Sequence, residues 1–326
     1  MSIREGSSRH DRRSRLRDRV VLVTGGSRGL GLEIARQALD RGARVGICGT
    51  NEESLDDARR ELLRRGDVAA VRCDVADPRQ VEELVATVEA RLGEIDVLVA
   101  NAGVITVGPF QHQTVDDLRM AMDVMYWGVV HPVMAVLPGM RGRHAGSIAV
   151  VTSIGGRIAV PHLLPYSAAK FAAVGFSEGL CAELASEGIR VTTVVPGLMR
   201  TGSHVNALFK GRHRREYTWF GLSASLPLLS VDVRRAARRV LDGVERGAVQ
   251  TSIGLPAAIG SRVHGLMPAT TVRVMRLANH LLPRPGGIGE ERRSGTESTT
   301  PLTESPLTAL GRRAADRQCQ RRAELR

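Results

Sequence analysis

From residue 20 onward, short apolar runs alternate with longer stretches of helical period. Arg19–Thr24, Arg44–Cys48, Val68–Cys73, Ile95–Ala100, Ser147–Thr152 and Arg190–Val195 are near-continuous apolar runs, the pattern of strands buried on both faces. Between them, Leu30–Arg41, Glu52–Arg65, Arg79–Leu92, Val115–Leu137 and Tyr166–Glu187 predict helices; Leu30, Ile34, Ala38 and Leu39 share one face of the first. Val231–Arg246 and Val249–Ile253 predict one more helix–strand pair. This alternation predicts an α/β fold, a single doubly wound parallel sheet with helices on both faces. Ligands in such sheets bind at the carboxyl ends of the strands.

The pattern breaks at both ends. Residues 1–18 and 286–326 are rich in Arg, Ser, Thr, Gly and Glu, lack apolar periodicity, and are expected to be disordered basic tails. They flank a domain spanning 19–255 and a basic amphipathic segment, 256–285. No acidic residue occurs between Arg246 and Gly289. There Val272, Met275, Ala278, Leu281 and Leu282 alternate with Arg273, Arg276 and His280. Peripheral contact with an anionic membrane, a helix docked over the pocket, and a subunit interface all fit this stretch.

Aromatic residues make up only 3% of the 326 residues, so the core must be aliphatic. The four cysteines are scattered without a C-x-x-C pair, which argues against a metal site or disulfide framework and for a reducing compartment. The arginine-rich N-terminus has no apolar signal region, and no run of 18 apolar residues occurs. A cytoplasmic protein is expected. The net charge of +12 raises the possibility of nucleic-acid binding. Much of that charge lies in the tails, however, and no nucleic-acid-binding motif appears, so no nucleic-acid partner is expected.

The first strand runs into Thr24-Gly25-Gly26-Ser27-Arg28-Gly29-Leu30-Gly31 and then the first helix. Glycines at this junction let the backbone approach a pyrophosphate facing the helix N-terminus. Thr24, Gly25, Ser27, Arg28, Gly29, Leu30 and Gly31 are therefore candidate dinucleotide contacts. The second strand ends in Cys48-Gly49-Thr50-Asn51, without the acidic residue that would grip an adenosine ribose. Arg28 and Thr50 suit a 2′-phosphate instead, so NADP is preferred over NAD. Thr50 also fits the cap of the following helix. Asp74 and Val75 follow the third strand where adenine would lie, and Asp74 also fits a turn. Asn101-Ala102-Gly103 follows the fourth strand and suits a tight passage beneath a cofactor, or a simple turn.

Only two of the 46 basic residues are lysines, and one of them, Lys170, stands four residues after Tyr166. On a helix the two share a face. Ketone reduction needs a hydride at carbon and a proton at oxygen. A nearby ammonium is expected to lower the pKa of a tyrosine phenol toward neutrality. Ser153, thirteen residues upstream of Tyr166, can donate a hydrogen bond to the substrate oxygen.

Taken in order, these elements resemble the short-chain dehydrogenase/reductase family over about residues 19–255. The resemblance implies a Rossmann-type sheet, a nicotinamide cofactor and reversible carbonyl–alcohol chemistry. Ser153, Tyr166 and Lys170 would be catalytic, with Tyr166 and Lys170 also touching the cofactor. Pro196, Gly197, Met199 and Thr201 would flank the nicotinamide, and a homodimer or homotetramer is implied. One position departs from the family. In Asp123-Val124-Met125-Tyr126-Trp127-Gly128, Met125 stands where the family carries a relay asparagine. A thioether is a poor hydrogen-bonding group, so a catalytically weak dinucleotide-binding sensor or interaction protein is the alternative. Residues 198–229 carry Phe209, Tyr217, Trp219 and Phe220 and are expected to form a flexible lid with an apolar inner face, which implies a hydrophobic substrate.

Overall fold

Seven parallel strands form the central sheet: β1 (Val20–Val23), β2 (Arg44–Gly49), β3 (Val68–Arg72), β4 (Ile95–Ala100), β5 (Gly146–Val151), β6 (Ile189–Pro196) and β7 (Gln250–Ile253). Their order is β7-β6-β5-β4-β1-β2-β3. The computed structural model describes residues 14–225, 230–303, 305 and 308–320. Val23 pairs with Ile47 on one side and Val99 on the other, so the strand order reverses at β1 and opens a crevice at its carboxyl end.

The helices are α1 (Gly29–Asp40), α2 (Glu52–Leu62), α3 (Pro78–Leu92), α4 (Val115–Met122), α5 (Gly128–Gly142), α6 (Leu164–Glu183), α7 (His213–Ser225), α8 (Val233–Arg246), α9 (Leu255–Leu266), α10 (Pro268–Asn279) and α11 (Ala309–Arg317). Polar residues set several starts. Asn51 accepts from the Ser54 amide to cap α2, Asp77 and Pro78 open α3, and Thr114 with Asp117 forms a capping box on α4. The predicted long helix is interrupted by a π-turn, Asp123–Trp127, between α4 and α5. The whole stretch Val115–Gly142 is long and apolar enough to cross a membrane by length and composition. Its α5 portion instead lies along the sheet, with Val129, Val133, Leu137 and Met140 buried in the core beside β4 and α3.

The expected tails fall partly outside the described residues, which exclude 1–13, 304, 306, 307 and 321–326; the described parts of both segments are placed on the body. Leu16 is buried and Ser14 bonds Glu245. Arg293–Ser294 pairs antiparallel with Leu208–Phe209, and α11 packs against α7. Polar bonds hold this C-terminal strap. Arg292 pairs with Asp117, Arg312 bonds the Thr303 and Ser305 carbonyls, and Gln318 bonds Arg36 and Glu33. Composition pointed to disorder because apolar burial is not what fastens the segment.

Residues 198–225 of the expected lid are paired and packed onto the body; 226–229 lie outside the described residues. Leu198–Arg200 pairs with Ser230–Asp232, and Leu208–Phe209 pairs with Thr106–Val107. Phe209, Tyr217 and Phe220 pack edge to face in a small core with Val107 and Leu163. Their rings hold the segment in place instead of presenting an apolar face to a ligand. Beneath them lies the second lysine. Lys210 is 1% exposed, and its ammonium donates to Asp117 and to the His112 carbonyl at 3.0 Å.

Candidate active site

The crevice at the reversal point is a cleft of about 440 Å³, bounded by the glycine loop, the ends of β2, β3 and β4, the start of α6, and the segment after β6. Thr24 sets the loop. Its hydroxyl accepts the Asn101 and Ala102 amides at 2.9 and 3.2 Å, and the Asn101 side chain donates to the Thr24 carbonyl at 3.0 Å. At Gly31 a Cβ would collide with the Gly25 carbonyl, so only glycine lets the loop close onto α1. No side chain caps α1, which leaves first-turn amides to face an anion. One amide is already engaged: Gly29 N–H donates to the Gln318 carbonyl at 2.9 Å. Arg28 stands exposed on the loop, in no ion pair among the described residues.

Ser153 follows β5 and caps a short 3-10 turn, its Oγ accepting the Gly155 amide at 3.0 Å. Its hydroxyl also bonds Tyr166. A Cβ on Gly155 would come within 2.9 Å of the Tyr166 ring, so glycine is what admits the tyrosine there. One turn along α6, the buried Lys170 ammonium donates to the Val151 carbonyl at 2.8 Å. Burial pushes the Lys170 pKa down to about 8. Burial also raises the Tyr166 pKa, and the Ser153 bond only partly opposes this. The expected lowering of the phenol by the ammonium is therefore not found: the ammonium is turned to a carbonyl, and desolvation of the phenolate dominates.

The sequence matches the short chain dehydrogenase family over residues 19–209. The chain belongs to the short-chain dehydrogenase/reductase family. It is 36% identical over 198 residues to mouse dehydrogenase/reductase SDR family member 7B, covering 59% of this chain and 61% of that one. The chain thus spans about three fifths of the length of that relative. It is 41% identical to a putative ketoacyl reductase of Streptomyces coelicolor over 186 residues, 56% of this chain and 71% of that one. An actinorhodin polyketide ketoreductase variant solved with NADPH superposes with a TM-score of 0.65 at 31% identity, covering 74% of this chain and 97% of that one.

As a short-chain dehydrogenase/reductase, the chain brings most of its sequence-derived positions to one cleft. Gly25, Ser27, Arg28, Gly29, Leu30, Thr50, Asp74, Val75, Asn101, Ala102, Gly103, Tyr166, Lys170, Met199 and Thr201 line it. Five others stand behind that lining. Thr24 and Gly31 shape the loop, Ser153 reaches the cleft through Tyr166, and Pro196 and Gly197 support β7 and α9. Thr50 does not cap α2; Asn51 does. Asp74 lines the cleft and also closes a turn, accepting the Ala76 amide at 3.0 Å.

Several lining residues were missed from sequence, Gln320 and Asn206 among them. Gln320 reaches the cleft beside Gly29, and the Asn206 side chain fixes it by donating to its carbonyl at 2.8 Å and its amide oxygen at 2.7 Å. No motif marks a glutamine nearly 300 residues from the loop it covers. Met125, in the π-turn, is fully buried with Ala121 and Ala169 against Tyr166. It packs beneath the tyrosine and leaves no amide there.

Proposed function

We propose that this protein is an NADP-dependent oxidoreductase that interconverts a hydrophobic carbonyl compound and its secondary alcohol. The observation that carries this reading is the joining of Ser153, Tyr166 and Lys170 to the glycine loop around one cleft. The uncapped start of α1 and the glycine cradle fit a dinucleotide. When bound, the nicotinamide supplies or accepts the hydride. Tyr166, held protonated at neutral pH by its burial, gives its proton to the substrate oxygen. Ser153 donates a hydrogen bond where charge develops on that oxygen. Lys170 positions the tyrosine's surroundings and the cofactor ribose, and replaces the proton. Val104, Ile105, Val124 and Ala207 line the cleft and favour an apolar substrate. The relatives named as ketoacyl reductases support a keto group on an acyl chain.

Trp127 at the end of the π-turn, Met134 on α5 and Phe171 on α6 are exposed and apolar, which supports pairing of subunits through this face. The four free cysteines accord with the cytoplasm.

Oxidation of NADPH and NADH against a panel of ketones, including acyl and other lipid-like ones, tests the proposal. NADPH is expected to be preferred. Arg28→Ala should weaken NADPH use by roughly tenfold or more, the worth of a charge-assisted bond, and leave NADH little changed. Equal losses with both cofactors would remove the 2′-phosphate role of Arg28. A second reading, a dinucleotide-binding protein of little turnover, draws on Met125 alone. Tight NADPH binding without oxidation across the panel would favour it.

A further inference from the structure

Helices α9 and α10 form a hairpin at the edge of the sheet. α9 packs on β7 and on the turn after Ser153, and α10 packs on α9. Only Ala257 and Thr271 are buried within the two helices. Nine of the 19 exposed large apolar side chains among the described residues fall within 255–281, so this surface is a concentrated patch and not ordinary scatter. Leu266, Leu277 and Leu281 are 83%, 69% and 89% exposed. Val274 and Leu277 on α10 and Leu281 in the turn just beyond it follow one apolar spacing, and Arg273, Arg276 and the capping His280 each precede one of them. Residues 246–289 contain five arginines and no acid.

We infer that this hairpin is a docking face for an anionic phospholipid bilayer. Charge decides between occupants. A two-fold pair of copies meeting here would set the same acid-free surface against itself, arginine facing arginine. A nucleic acid would meet the arginines but leave the leucines without an apolar partner. A bilayer surface with anionic headgroups takes both, the leucines entering the acyl boundary and the arginines lying among the phosphates. The inference does not rest on the proposed redox chemistry, because binding is read without turnover.

Flotation of the full chain with vesicles tests it. The protein is expected to float with vesicles of phosphatidylcholine and phosphatidylglycerol in equal parts, to stay behind with phosphatidylcholine alone, and to release as salt is raised. Arg273→Ala with Arg276→Ala should lower partitioning about fivefold per arginine removed. Leu277→Glu with Leu281→Glu should abolish flotation while circular dichroism and NADPH binding stay unchanged, since both side chains stand outside the fold's core and the cleft. The inference is overturned if wild type fails to float with anionic vesicles, or if the leucine pair floats as well as wild type. It is equally overturned if wild type ignores vesicles and the leucine pair converts a dimer to a monomer in sedimentation, or if wild type ignores vesicles but binds an acidic amphipathic peptide, since the face then belongs to a second copy or to a protein partner.

Discussion

Tyr166→Phe is expected to lower kcat/KM for ketone reduction by about 10²–10⁴, the usual worth of a positioned proton donor, and to leave NADPH affinity within about twofold. The phenylalanine keeps the ring that Gly155 admits and that Met125 supports, so the fold loses only a hydroxyl bonded to Ser153. The pH profile gives a second measurement. Lys170 titrates near pH 8, so wild-type kcat/KM should change along a limb centred there. Lys170→Arg should remove that limb, because a guanidinium stays charged throughout, and should also cost turnover, because its planar fork does not match the single donation to the Val151 carbonyl. A tyrosine-to-phenylalanine enzyme that keeps wild-type turnover would mean the proton comes from elsewhere. An unchanged pH limb in Lys170→Arg would mean another group titrates.

The largest effect on stability is expected from Lys210→Met. Asp117 is fully buried. Burial alone would raise its pKa, but bonds from Lys210 and Thr114 outweigh it and hold the carboxyl below the ordinary aspartate range. Removing the ammonium leaves a buried carboxylate with Arg292 as its remaining cation. Breaking a buried pair from one side costs about 3–5 kcal/mol, and the surviving Arg292 contact points to the lower end. Thermal melting should show a fall in Tm of about 4–5 °C. Lys210→Met combined with Asp117→Asn should recover part of that loss, since no buried charge is then left. The sign with pH follows from the lowered Asp117 value. The stabilisation is complete above the unfolded aspartate pKa of about 3.9 and is lost as pH falls through the lower folded value. The variant's deficit should therefore shrink in acid. A melt unchanged from wild type at neutral pH would show that the pair contributes nothing net.

The sheet was legible because strands buried on both faces must be apolar throughout, and six runs advertised this. The cleft was legible for a related reason: Gly31 and the Tyr166–Lys170 spacing answer to local backbone geometry, which sequence encodes directly. What escaped was held by long-range polar contacts. Gln320 meets Gly29 across the whole chain, and the strap that carries it is fastened by threonine, arginine and glutamine bonds with no periodic signature. The aromatics after β6 were visible, but their direction was not. Phe209 and Tyr217 face each other rather than a ligand, and composition cannot distinguish the two. The phenol pKa failed for a comparable reason. Placing an ammonium one turn away does not aim it, and the Val151 carbonyl had the stronger claim.

Both lysines of the chain are buried, Lys170 at 4% and Lys210 at 1% exposure, so the folded surface offers arginine everywhere and lysine nowhere among the described residues. Apart from its terminal amine, the native protein is therefore expected to react slowly with acylating dyes and to resist lysine-specific proteolysis. Either reagent becomes a clock for opening: each peptide cut at Lys210 records a molecule that has exposed the Asp117 cluster, and each cut at Lys170 one that has exposed the floor of the cleft.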